Sequence, residues 1–187
     1  MDWPTPEPLA RGTHFLLGGA RSGKTARAIA IAEEAHATRG LTPIYIATAQ
    51  AHDAEMRARI EAHKAERGPH WRAREAPLDL PEAIAAAAAP DTVLLVDCLT
   101  LWVTNLMLAD YDVEAAGADL IAALTVARED AAGPIAVVSN EVGLGIVPDN
   151  ALARAFRDEA GRLHQQVAAM ADRVEFMAAG LALRMKG

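Results

Sequence analysis

The sequence predicts an α/β fold: a mostly parallel sheet with helices on both faces. Three observations predict it. Several short runs are near-continuously apolar, as strands covered on both faces are. Alanine-rich stretches of helix-forming composition alternate with them. The first apolar run passes through a glycine-rich turn straight into such a stretch, "LLGGARSGKTARAI", residues 16–29. Strand, helix, strand at this rhythm implies right-handed crossovers. Ligands in such sheets bind beyond the carboxyl ends of the strands.

Taken in order, "MDWPTPEPLARG" (1–12) carries three prolines and no apolar run. It reads as an extended lead-in, and as neither a signal peptide nor a membrane span. Strands are expected at 13–18, 42–48, 92–97, 135–140 and 173–179. Helices are expected at 24–38, 53–66, 79–89, 113–131 and 149–171. Residues 13–187 read as a single domain. With 187 residues, 52% of them hydrophobic, the chain can bury one core. A formal charge of −7 argues against a general nucleic-acid binder, which needs a basic face. Cys98 is the one cysteine, so no internal disulfide can form, which fits a reducing compartment. A soluble, cytoplasmic protein is expected.

Gly18, Gly19, Ala20, Arg21, Ser22, Gly23, Lys24 and Thr25 satisfy G-x-x-x-x-G-K-[ST]. The glycines let backbone N–H groups turn toward phosphate oxygens. The helix that opens near Lys24 adds the positive end of its dipole. Lys24 would reach the outer phosphates, and the Thr25 hydroxyl would ligate Mg²⁺. Strand, loop and helix together predict a P-loop NTPase-like (RecA-like) domain. Asp97 ends the run "VLLVD". It reads either as a metal carboxylate at a strand end or as a helix-capping aspartate; beside a phosphate loop the metal role is favoured.

In "HDAEMRARIEAHKAERGPHW" (52–71), Met56, Ile60, His63 and Arg67 share one helical face. Spacing alone gives His63 a half-buried structural place. The functional reading is covalent: an unprotonated imidazole attacks a nucleotide α-phosphate, with Lys64 and Arg67 offsetting phosphate charge.

Five ordered blocks carry a resemblance: "GGARSGKT" (18–25), "YIATAQ" (45–50), "DAEMRARIEAHKAERGPHW" (53–71), "VDCLTLWVTNLM" (96–107) and "SNEVGLGIVPDNALARAFRDEAGRLHQ" (139–165). Through them the chain resembles the bifunctional adenosylcobinamide kinase / adenosylcobinamide-phosphate guanylyltransferases of cobalamin biosynthesis. The resemblance implies two reactions. Adenosylcobinamide is phosphorylated with ATP or GTP. GMP then passes from GTP to adenosylcobinamide phosphate through a histidine that matches His63, giving adenosylcobinamide-GDP and pyrophosphate. It further implies nucleotide contacts at Gly18 through Thr25, at Ala47, Thr48 and Ala49, at Lys64, Ala65, Glu66 and Arg67, and at Glu75 and Asp97. Mg²⁺ would be held by Thr25 and Asp97. A homo-oligomer is implied, with the aromatic-bearing segment 99–108 a candidate interface. The pattern departs from some members at Ala62, where they carry a second histidine, and at Asp97, where they carry glutamate. A P-loop small-molecule kinase without covalent nucleotidyl transfer is the alternative.

In the loop "NEVGLGIVPDN", Asn140, Glu141, Gly143 and Gly145, with Arg154 and Arg157 beyond it, read equally as substrate contacts or as loop geometry. His14, His36, His52, His70 and His164 share no metal-ligand spacing. Trp71, Trp102, Phe156 and Phe176 read as core or interface. Cys98 reads as buried packing.

Overall fold

The computed structural model describes Glu7, residues 9–50 and residues 67–187. The helix expected at 53–66 lies outside the described residues. The elements are β1 (Gly12–Gly18), α1 (Lys24–Arg39), β2 (Thr42–Ala47), β3 (Arg72–Glu75), α2 (Leu80–Ala87), β4 (Thr92–Asp97), α3 (Leu99–Leu108), α4 (Val113–Asp130), β5 (Pro134–Asn140), α5 (Ala151–Met170), β6 (Arg173–Ala178) and β7 (Leu181–Lys186). The described strands form one sheet in the order β3-β2-β4-β5-β1-β6-β7. Every neighbouring pair is parallel except β6–β7.

Alternation along the central strands assigns the two faces. Leu16, Tyr45, Leu95, Ala136 and Val138 meet Ala28 and Ile31 of α1. Phe15, Ile46, Leu94, Val96, Ile135 and Val137 meet α2 to α5, through Leu80, Ile84, Trp102, Leu120, Leu124, Leu163 and Val167. Each fully buried aliphatic side chain contributes about 1.5–3 kcal/mol. The helices on the second face start on side-chain caps at two points. Asp112 accepts from Ala115 N at 3.0 Å, and Asn150 accepts from Leu152 N at 2.7 Å. Such caps contribute about 1 kcal/mol each.

Three elements escaped the pattern. β3 reads "RARE", and all four residues are exposed, so it carries no apolar signal. β7 is the outer strand of a tight hairpin whose turn residues, Ala179 and Gly180, both have positive φ (51° and 81°). That geometry closes two-residue hairpins, but its usual Asn-Gly signature is missing here. α3, "LTLWVTNLML", is apolar nearly all round because it is buried against both the sheet and α5, so it lacks a helical stripe. Trp102 is accordingly in the chain's own core, fully buried, with its indole N–H donating to Leu78 O at 2.8 Å.

Candidate nucleotide site at the carboxyl edge of the sheet

Register places the expected residues along one edge. Glu75, Ala47 and Asp97 lie side by side at the ends of β3, β2 and β4. Gly18 lies between Asn140 and Met177 at the ends of β1, β5 and β6. The edge is the carboxyl end of all six parallel strands, the ligand-binding edge of such sheets.

The glycine loop bridges β1 and α1. Gly23 stands at φ 99°, in the left-handed region, and precedes α1 with no side-chain cap on the helix. The first-turn N–H groups therefore face the loop without a competing side chain. Gly18 has no room for a side chain: a Cβ there would stand 2.3 Å from Met177 O. The β6–β7 turn braces the loop from behind, with Gly180 N donating to Ser22 O at 3.0 Å. Ala20 and Arg21 form the exposed tip. Lys24 is buried, and its ammonium donates to Gly18 O at 2.8 Å and Gly19 O at 2.6 Å. The ammonium is thus held over the loop's own carbonyls.

Asp97 resolves toward the loop rather than toward its own helix. No side chain caps α3. Instead Asp97 Oδ2 accepts from Thr25 Oγ1 at 3.0 Å and from the Tyr45 hydroxyl at 2.9 Å. Hydroxyl and carboxylate oxygens at this spacing are the hard donors a Mg²⁺ ion prefers. Burial, and then the Asp97 carboxylate, push the Tyr45 phenol well above its ordinary value, so its hydroxyl keeps the proton it donates.

Behind this pair, Thr48 ties two strand ends together. Its hydroxyl donates to Cys98 O at 2.8 Å and accepts from Cys98 N at 2.9 Å, while its carbonyl accepts from Asn105 Nδ2 at 2.8 Å. Thr48 is fully buried, so its side chain serves the turn that presents Ala47 and Ala49, both partly exposed. Cys98 is buried as expected, and burial pushes its thiol up. Glu75 is exposed at the end of β3.

His63, Lys64, Ala65 and Glu66 lie outside the described residues. Arg67, which follows them, stands with its guanidinium carbon 3.7 Å from the centre of the Tyr45 ring. Its Nη1 is buried and has no hydrogen-bond partner among the described residues. Three residues on, His70 Nε2 lies 3.0 Å from Glu33, and the Trp71 indole donates to the same carboxylate at 2.6 Å. These contacts dock the segment against α1.

The loop after β5 is organised mostly by its own geometry. Glu141 N donates to Gly18 O at 2.9 Å, which ties the loop to the first glycine. The Glu141 carboxylate accepts from Gly143 N and Leu144 N. Arg154 donates to Pro148 O and Asp149 O, and Arg157 lies 3.5 Å from Asp158.

Sequence reasoning missed Tyr45 as a site residue. The available signal was a lone hydroxyl-bearing aromatic inside the aliphatic strand "TPIYIA".

A sequence model of the family described as "Cobinamide kinase / cobinamide phosphate guanyltransferase" matches residues 14–185. The chain belongs to this family. The bifunctional adenosylcobalamin biosynthesis protein CobP of Pseudomonas aeruginosa is 48% identical over 173 residues, covering 92% of this chain and 96% of that protein. The protein CobU of Salmonella typhimurium, named likewise as bifunctional, is 43% identical over 92% of this chain and 98% of its own. Solved structures extend the likeness in fold alone. The flagellar accessory protein FlaH from Methanocaldococcus jannaschii has a TM-score of 0.53 at 10% identity, over 94% of this chain and 78% of that one. The ATPase domain of G40P has a TM-score of 0.51 at 15% identity, over 89% of this chain and 69% of that one. The fold is P-loop NTPase-like, with a mostly parallel sheet and helices on both faces. Among the described residues no helix is long and apolar enough to cross a membrane.

Proposed function

We propose that this member of the cobinamide kinase / cobinamide phosphate guanylyltransferase family carries out both reactions. It phosphorylates adenosylcobinamide with ATP or GTP. It then transfers GMP from GTP to adenosylcobinamide phosphate, giving adenosylcobinamide-GDP and pyrophosphate. The observation that carries the reading is the family match over residues 14–185, in a chain whose glycine loop, Lys24, Thr25 and Asp97 converge at the sheet edge.

In the guanylyl step a ring nitrogen of His63 attacks the α-phosphorus of GTP. The bond from that phosphorus to the bridging oxygen breaks, and pyrophosphate leaves. A phosphate oxygen of adenosylcobinamide phosphate then attacks the same phosphorus, the P–N bond breaks, and the imidazole is restored. Lys24 and the backbone N–H groups of the loop stabilise the charge that develops on the departing pyrophosphate. Arg67 and Lys64 offset charge at the reacting end. Ala47, Ala49 and Glu75 line the same edge for the nucleoside, and Thr48 fixes their turn. Thr25 and Asp97 are the residues that would hold Mg²⁺, which when bound neutralises phosphate charge. In the kinase step Lys24 and the loop orient the γ-phosphoryl group. One loop serves reactions at two different phosphorus atoms, so the nucleotide must shift along it between steps.

We place the enzyme in the cytoplasm as a homo-oligomer. The assembly is supported by Leu181, Leu183 and Met185, which alternate along the outer strand β7 and are all more than half exposed.

Labelled nucleotides test the two reactions together. Label from γ-labelled ATP should appear in adenosylcobinamide phosphate, and label from α-labelled GTP in adenosylcobinamide-GDP with release of pyrophosphate. Transfer of γ-label without any α-label would leave a kinase only.

A further inference from the structure

We propose that Tyr45 is a positioning residue that joins the two halves of the candidate site; the inference rests on the guanylyltransferase reading above. One half is the loop and its aspartate. The other is Arg67, four residues beyond His63 in the sequence. Tyr45 touches both with different parts of one side chain.

The hydroxyl donates to Asp97 Oδ2 at 2.9 Å, the same oxygen that accepts from Thr25 at 3.0 Å. Two donors on one oxygen fix the carboxylate rotamer and leave the other oxygen, Oδ1, for a further partner. The ring face seats the Arg67 guanidinium at 3.7 Å. Aromatic faces attract cations, and more strongly where water is excluded. Tyr45 is 6% exposed, and Arg67 Nη1 is buried with no hydrogen-bond partner among the described residues. A buried guanidinium nitrogen without a partner is costly unless an anion completes it. The site's substrate supplies one, as a nucleotide phosphate. The ring then does for Arg67 what the hydroxyl does for Asp97: each charged group is held in place before the nucleotide arrives.

Phenylalanine at this position would keep the seat and lose the aspartate contact. Leucine would lose both. That separation makes the test. The readouts are the calorimetric Kd for GTP with Mg²⁺ and the single-turnover rate of GMP attachment to the protein, followed by intact mass. Tyr45→Phe should lower the attachment rate about tenfold while the Kd changes by less than about threefold. Arg67→Met and Tyr45→Leu should each raise the Kd by about tenfold. The double variant should be no more than about threefold weaker than either single, because both singles remove the same ring–guanidinium contact. If Tyr45→Leu does not fold, Tyr45→Phe and Arg67→Met still separate rate from affinity. Wild-type attachment rate in Tyr45→Phe, or a double variant about a hundredfold weaker than the wild type, would overturn the inference alone. A wild type that bound no GTP would overturn the parent reading with it.

Discussion

Arg27→Met should destabilise the protein sharply, and the structure sets the size. Glu175 of β6 is fully buried on the face covered by α1. Its Oε2 accepts from Arg27 Nε at 3.0 Å and its Oε1 from Arg27 Nη2 at 3.2 Å, with His14 Nε2 also 3.2 Å from Oε1. Burial pushes the carboxyl up, but His14 and Arg27 outweigh it and bring it from 4.5 down to about 2. That gap corresponds to roughly 3 kcal/mol. Breaking a buried pair from one side costs a similar amount, about 3–5 kcal/mol, because the other charge is left uncompensated. In a chain of this length the Tm should fall by about 6–20 °C. The sign with pH follows. A carboxyl held low contributes its stability above about 4.5 and loses it as pH falls through about 2. In Arg27→Met only His14 is left to hold the carboxyl low, so acid weakens the variant less than the wild type. Urea denaturation at pH 7 and pH 4 should show a smaller deficit at the lower pH. A deficit under about 1 kcal/mol at pH 7, or one equal at both pH values, would contradict a buried ion pair at this place.

Three further outcomes are expected. Gly18→Ala puts a Cβ 2.3 Å from Met177 O, so it should cost about 1–3 kcal/mol and weaken GTP binding at least tenfold, read by thermal melting and calorimetry; unchanged values would contradict the packing. The His164 ring, lowered by burial from 6.5 to about 4 and 2.7 Å from Ser139 Oγ, stays neutral. Stability should therefore fall as pH drops from about 6.5 through 4. An NMR titration midpoint near the ordinary value would contradict this. Buried Cys98, its thiol pushed up, should resist thiol reagents at pH 8 in the native protein and react once it unfolds.

Much of the fold was legible because the central strands are buried on both faces. β1, β2, β4 and β5 must be apolar wherever the sheet is covered, and the sequence shows them as such. The edges and α3 were not legible for the opposite reasons. β3 is solvated throughout, and α3 is apolar throughout, so neither has a periodic face to read. The glycine loop was legible because its backbone shape demands glycine at fixed spacing. Asp97 was ambiguous between cap and site, and its contacts with Thr25 and Tyr45 decide its direction. Tyr45 and the His14–Glu175–Arg27 cluster were illegible because their partners come from strands and helices far apart in the chain. Nothing in the local pattern marks a tyrosine in an apolar strand as the neighbour of an aspartate fifty-two residues later.

Passage of GMP through His63 sets the proposed enzyme apart from a plain kinase. Intact protein mass after incubation with GTP and Mg²⁺, for the wild type and for His63→Ala, tests it. An acid-labile gain of one GMP is expected on the wild type and none on the variant. A wild type that gains no mass while it still forms adenosylcobinamide-GDP, or a variant that gains GMP as the wild type does, would contradict it.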